Sequence, residues 1–285
     1  MNNQSARAHC AAIADAIQNG SAADAQLAID NARSVLNGDH WKRDLDKLSS
    51  ILFDDMPRFS IFAKNGNVKL PFVSFSSLPI VTCPGAGDCL SWCYSLRAWR
   101  YPAAFCRQAQ NAWLMRFNRP AIVRAFCDLQ KVKKLKGGYD LRLYVDGDFA
   151  SVSDLEFWQS LLKTAPNVRA YGYSKSFSEF VTYAKSGQTF ANNYMVNLSS
   201  GHNADDITAA SFAALPVVRG AFKAVSIGHK VKSSDHGKPE HNKTLRAAYG
   251  AKAFTCPGQC GTCTPSGHAC GSAKFKNVDI IIAVH

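Results

Sequence analysis

The sequence predicts an α/β fold: a parallel (β/α) barrel, partial or complete, of about six strands, with a helical N-terminal appendage. Three observations carry this expectation. From about residue 69 short apolar runs alternate with segments of helical period, the grammar of βα units. Polar loops rich in Gly, Ser, Asp and Lys follow these runs at equivalent places. Residues 1–62, by contrast, carry only helical spacing, which divides the chain into an appendage (1–62) and a barrel-like domain (63–285).

In the appendage, apolar positions recur at helical intervals over Ala11–Ile17, Ala25–Leu36 and Leu45–Leu52. Ser21 with Asp24 reads as an acidic variant of a capping box, Asn37-Gly38 as a stop, and Asp39 as the cap of the third helix. The first strand is expected over Pro71–Pro79, feeding directly into a cysteine-rich loop. A long helical stretch runs from about Pro102 to Leu135, interrupted near Pro120. Strands then fall at Leu141–Asp146, Val168–Tyr173, Tyr194–Leu198, Phe222–Ile227 and Val278–Val284. Helices are expected at Asp154–Lys163, Phe177–Lys185 and Ala204–Ala214. Short, nearly continuous apolar strands argue for parallel pairing with covered faces.

Chemistry on such folds gathers at the C-terminal ends of the strands. Five polar loops sit there: the cysteine loop, Asp146-Gly147-Asp148, Ser174-Lys175-Ser176, Ser199 through Asn203, and Gly228-His229-Lys230. A shared pocket is expected, with Asp146, Asp148 and Lys175 as catalytic candidates and Asn197 and Ser199 as further cofactor contacts. The alternative for Asp-Gly-Asp is a plain turn, and for Lys175 a solvated cation. Tyr144, Tyr171 and Tyr173 alternate along strands, so packing is their default role, with stacking on a base as the sharper one.

Two cysteine groups stand out. Cys83, Cys89 and Cys93 have the spacing C-x5-C-x3-C. Three thiolates can hold three irons of a [4Fe–4S] cluster and leave the fourth open. Zinc here would need a fourth ligand from Cys106, Cys127 or a histidine. Cys256, Cys260, Cys263 and Cys270 lie within fifteen residues as C-x3-C-x2-C-x6-C, a stronger metal signal for a second Fe–S cluster or for zinc, with His268 and His285 in reserve. Cys10, Cys106 and Cys127 lie in helical stretches and read as core residues.

Composition bounds the rest. At 47% hydrophobic the chain can bury a large core, and it holds no apolar run long enough to span a membrane. The start lacks an apolar signal region, so a cytoplasmic location with reduced or metal-bound cysteines is expected. Residues 1–62 hold six basic and eight acidic residues, while the remainder holds 27 and 13, a net charge of +14. That asymmetry favours a polyanionic partner, nucleic acid or nucleotide, over a generic basic surface. Lys131 through Lys136 form a basic stretch, and His229 through Lys243 read as a mobile basic loop that could grip phosphate. P-loop, Ser-His-Asp and His-x-His signatures are absent.

The order strand, cysteine loop, helix, strand, Gly-acid loop resembles the radical SAM superfamily. There the three cysteines of C-x3-C-x-aromatic-C ligate a [4Fe–4S] cluster whose open iron holds S-adenosylmethionine. The resemblance implies that Trp92 is the aromatic beside the cluster and that Gly147 and Asp148 bind the methionine amino group. The first gap here is five residues rather than three. The second cysteine group has the family's spacing without its aromatic and would be an auxiliary cluster or a zinc site. A closer similarity is to the phage and plasmid family named for gene product 88, through CPGAGDCLSWCYS, DGDFAS, YGYSKS and CPGQCGTC with a final strand, over roughly residues 70–285.

Three functions follow as expectations. The first is a radical SAM-like iron–sulfur enzyme acting on nucleic acid or nucleotide, for example in phage or mobile-element DNA modification. The second is a zinc-stabilised enzyme similar to tRNA-guanine transglycosylases, with Asp146 or Asp148 as nucleophile. The third is a non-enzymatic, zinc-containing nucleic-acid-binding or replication-associated protein.

Overall fold

A computed structural model of the chain describes residues 3–64, 72–229, 231–232, 234–250, 252–258, 260, 263–264 and 268–284. Three helices open it: α1 (Asn3–Asn19), α2 (Ala22–Arg33) and α3 (Asp39–Asp54). The capping box forms as expected. The Ser21 amide donates to the Asp24 carboxylate at 2.8 Å and the Asp24 amide donates to Ser21 Oγ at 3.2 Å. Asp39 is not the cap of α3; Gly38 occupies that position and Asp39 opens the first turn, where a negative charge suits the helix dipole.

These helices do not stand apart. Ile13, Ile17, Ile29, Leu45 and Leu48 share one buried cluster with Trp99, Phe105 and Trp113. The last two belong to α4 (Pro102–Phe117), which is therefore buried on several sides. Its polar residues are consumed as anchors. Gln110 accepts the amides of Arg58 and Phe59, and Asn111 donates to the carbonyls of Ile61 and Ser76. Cys10 and Cys106 lie in this core as expected, but Cys127, on α5 (Arg119–Lys131), is exposed. Its position on the solvent side of an amphipathic helix decides that, not its residue type.

The sheet has eight strands: β1 (Ala63–Lys64), β2 (Val73–Ser74), β3 (Tyr139–Leu143), β4 (Val168–Ser174), β5 (Tyr194–Ser199), β6 (Val218–Val225), β7 (Phe254–Thr255) and β8 (Ile280–Ala283). Their order is β1-β2-β3-β4-β5-β6-β8-β7, and only the β1–β2 pair is antiparallel. The α/β expectation holds. Closure does not: among the described residues no pairing joins the edge strands β1 and β7. The two strands beyond the expected six are two residues each, too short to show a period. The first strand is shorter than Pro71–Pro79, and Pro71 lies outside the described residues. β6 starts four residues before the expected Phe222, because a register shift opposite Val196/Asn197 breaks its alternation.

Strands β2 to β6 lie side by side in sequence order. Between them run α4 and α5, then α6 (Val152–Lys163), α7 (Phe177–Lys185) and α8 (Asp206–Ala213). Phe126, Trp158, Phe177, Phe180 and Phe212 from α5–α8 pack with Leu141, Val168, Ala170 and Val196 of one sheet face. The other face carries Tyr171, Tyr173, Phe222 and Ile280 and is covered by Phe72 and the C-terminal cysteines. The basic stretch expected as a loop to Lys243 contains the start of α9 (Pro239–Tyr249), with Pro at its first position and Leu245 buried; Lys230 lies outside the described residues. Residues 132–136 form a turn with exposed lysines. Among the described residues no helix is long and apolar enough to cross a membrane.

Candidate functional site

The loop that carries Cys83, Cys89 and Cys93 leaves β2 and docks across the C-terminal ends of β4 and β5. The amide of Gly87 donates to the Gly201 carbonyl at 3.0 Å, and the amide of Asn203 donates to the Gly85 carbonyl at 3.0 Å. Gly85 is required by contact: a Cβ there would lie 1.7 Å from the Lys175 carbonyl oxygen. Ile80 enters the loop at φ 72°, and Tyr144 leaves β3 at φ 52°. A β-branched residue in the left-handed region is strained, and such strain collects at functional sites.

Asp148 organises the floor. It is buried, and its Oδ1 accepts from Ser174 Oγ at 2.8 Å and the Phe149 amide at 2.9 Å. Its Oδ2 accepts the Lys175 amide at 2.7 Å. The turn before it depends on Gly147 at φ +77°, where a Cβ would also meet Thr82 Oγ1 at 2.7 Å. Burial raises the Asp148 pKa, against these donors and the Lys175 charge. The Lys175 side chain reaches past it, with Nζ donating to Ser199 Oγ at 2.8 Å. Asp146 is held by Gln108 Nε2 at 3.0 Å, and burial raises its pKa too.

The thiols face this floor. Burial raises the Cys83 pKa, Asp148 and Cys93 add to the rise, and Lys175 opposes it. Cys89 is raised chiefly by burial, with Lys175 again opposing. Cys83, Cys89, Cys93, Asp148 and Lys175 therefore act on one another across a single mouth. The Trp92 ring lies against Gly201. A cleft of about 150 Å³ opens beside Asp148, between Thr82, Arg116, Arg119 and Tyr144. A larger cleft, about 440 Å³, lies at the opposite strand ends, between Phe190, Tyr194 and Val217.

His202, in the loop under Gly87, packs 4.5 Å from the Phe177 ring. Burial lowers its pKa and Lys175 works in the same direction, against Asp206 and a hydrogen bond with Ala204. A depressed histidine pKa contributes stability above the unfolded value of 6.5 and loses it as pH falls through the folded value. The denaturant midpoint of the protein is expected to drop between about pH 8 and about pH 5, and to drop less in His202→Asn. An equal drop in both proteins would place the proton uptake elsewhere.

Asn197 does not belong to this mouth. Its side chain is fully buried on the opposite sheet face, donating to the carbonyls of Gly172 and Cys270 at 2.9 Å each, and accepting from Arg219. It serves the second cysteine group. There Cys256, Cys260, Cys263 and Cys270 gather around Phe72, Tyr171 and Tyr173. The Gly258 amide donates to Cys256 Sγ at 3.4 Å and the Ala269 amide to Cys263 Sγ at 3.3 Å. Burial pushes the Cys256 thiol up to about 12 and the Cys270 thiol up to about 11. His268 is not in reserve as a ligand: its Nδ1 accepts from the Gly271 amide and its Nε2 stands 3.5 Å from Asp140. His285 lies outside the described residues. Cys106, buried among the N-terminal helices, is no fourth ligand for the first group. Among the described residues no three His, Cys, Asp or Glu side chains stand in a ready-made ion-ligating arrangement.

Residue patterns did not point to Thr82, Gln108, Arg142 or Arg219. The available signal was a charged residue inside an apolar strand, Leu-Arg-Leu at 141–143 and Val-Arg-Gly at 218–220.

The family model described as Gene product 88 matches residues 57–215, more than half of the chain. The matched segment contains the whole mouth and ends before Cys256. No curated protein and no solved structure matches the chain.

Proposed function

The chain belongs to the gene product 88 family, and from that premise we propose that it is an iron–sulfur enzyme of radical SAM-like type acting on nucleic acid or a nucleotide. One observation carries the reading: three thiols share a strand-end mouth with Lys175 and Ser199. Cys83, Cys89 and Cys93 would hold three irons of a [4Fe–4S] cluster and leave one open. Bound there, the cluster would supply one electron to S-adenosylmethionine.

The remaining roles are the chain's own. Lys175 Nζ, steadied by Ser199, offers a cation to a carboxylate or phosphate of the ligand. Asp148 is a positioning residue, because its oxygens already hold the 174–176 turn and the start of α6's approach. The order of β2–β6, with α5–α8 on one face, supports a partial barrel with its mouth at the strand C-termini. Exposed Trp92 within the cysteine loop, and exposed Tyr94 and Tyr101 after it together with Arg97 and Arg100, are the mixture of rings and guanidiniums that suits single-stranded nucleic acid. A nucleophilic Asp146 or Asp148, as in a transglycosylase, is disfavoured by the burial and hydrogen bonding of both carboxyls.

Anaerobically purified full-length protein should be brown, with absorption at about 400 nm. It should consume S-adenosylmethionine when reduced in the presence of nucleic acid. A colourless protein that holds only zinc, or one that binds nucleic acid with steep salt dependence and no turnover, would refute the enzyme reading.

A further inference from the structure

The sheet face left bare by helices α5–α8 holds two guanidiniums that lack a close anion. Arg219 is 1% exposed, and its nitrogens donate to Asn197 Oδ1 and to the carbonyls of Phe275, Val278 and Ala221. All of these acceptors are neutral. Arg142 keeps part of its surface open, lies 4.7 Å from the Tyr173 ring centroid, and buries its Nε without a hydrogen-bond partner. Neither forms a salt bridge with a carboxylate among the described residues; Asp146 and Asp279 act on them only at longer range. Buried charge without a close partner is costly and calls for a counter-charge. Both arginines reach the second cysteine group through packed neighbours: Asn197 accepts from Arg219 and donates to the Cys270 carbonyl, and the Tyr173 ring beside Arg142 packs with Cys256, Cys260, Cys263 and Cys270.

We propose that Cys256, Cys260, Cys263 and Cys270 form a closed four-thiolate metal centre whose double negative charge is balanced by Arg142 and Arg219. Each thiol gives up its proton to solvent as it ligates, and four thiolates around a divalent zinc ion or a [4Fe–4S]²⁺ cluster carry the same net charge. The chain already directs two backbone amides at sulfur, from Gly258 and Ala269. With four protein ligands and a wall of Phe72, Tyr171 and Tyr173, the centre has no open position for substrate. Its work is to clamp the C-terminal segment onto β4–β6, where the Cys270 carbonyl is already tied to Asn197. This site is independent of the first cysteine loop and does not rest on the function proposed for it.

The test uses the full chain, prepared anaerobically, with metal and sulfide content measured alongside alkylation of each cysteine mapped by mass spectrometry. In a C83S/C89S/C93S variant the C-terminal four should stay protected from alkylation until chelator is added. That variant should keep either one zinc or four irons with sulfide, which tells the two forms of the centre apart. Equal alkylation of the four cysteines with and without chelator in the folded wild-type chain would overturn the proposal, without relying on variants that fail to fold. Arg142→Met should lose its metal to chelator about tenfold faster or more, as loss of an outer-shell partner does. An unchanged rate would overturn the charge-balancing role.

Discussion

Replacing Cys83, Cys89 and Cys93 together by serine is expected to abolish iron at the first site and to lower S-adenosylmethionine consumption at least about 10³-fold, to the level of loss of an essential group. The fold should survive. The loop is pinned through its backbone, by Gly87 on Gly201, Cys89 on Gly201 and Asn203 on Gly85, and none of these bonds uses a thiol. A change from Sγ to Oγ removes little volume, so stability should move by no more than about 1 kcal/mol. Iron content and turnover of the purified variant check the expectation, with a denaturation curve as the control for folding. Retention of both iron and turnover would remove the mouth from the chemistry.

Asp148→Asn is expected to cost stability on the order of 3–5 kcal/mol, the scale of a broken buried network. The wild-type carboxyl accepts three donors at once, from Ser174, Phe149 and Lys175. An amide offers one acceptor oxygen and turns an NH₂ donor towards one of those donors. At least one buried donor then goes unmet. The damage should spread along the docking chain, because the Lys175 carbonyl lies directly under Gly85 of the cysteine loop. Ser174→Ala removes one donor to Asp148 and the acceptor of the Ser176 amide, but leaves the carboxylate charge and its other two donors in place, and should cost about 1–3 kcal/mol. Urea midpoints of the two variants decide the matter. A cost for Asp148→Asn below that of Ser174→Ala would mean that the carboxyl does not organise the floor.

Much of the helical layer was legible in the sequence. Phe177–Lys185 agrees residue for residue because its apolar positions recur at helical spacing, and the strands Val168–Tyr173 and Tyr194–Leu198 agree to within one residue because each is a short, mostly apolar run bounded by polar loops. β6 was not, because its register shift moves the side-chain period by one and sends Arg219 into the interior. α9 was hidden by its composition: eleven residues with Leu245 as the buried anchor resemble a polar loop until β8 supplies an apolar face for them.

The candidate site divides in the same way. Cysteine spacing, Asp-Gly-Asp and Ser-Lys-Ser are local patterns, and the rule that loops gather at strand ends brought them to one mouth without any coordinates. Spacing says nothing about which sheet face a residue takes after a bulge, so Asn197 was assigned to the first cysteine group although it serves the second. Nor could it show that three of the four acceptor sites of the Asp148 carboxyl are already taken, since that depends on donors from Ser174, Phe149 and Lys175.

The sequence by itself determined most of the element types, the two thiol groups and the charge asymmetry, because these rest on interactions between residues close in the chain. Only the tertiary structure decided that no pairing among the described residues closes the sheet, that α1–α3 share a core with α4, and that the two thiol groups occupy different places on the sheet. It also decided that Arg219 is buried, and Arg142 partly buried, on the sheet face that carries the second group. These outcomes come from contacts between residues tens to hundreds of positions apart. Desolvation and hydrogen-bond satisfaction, which select among such contacts, act only once the chain is packed.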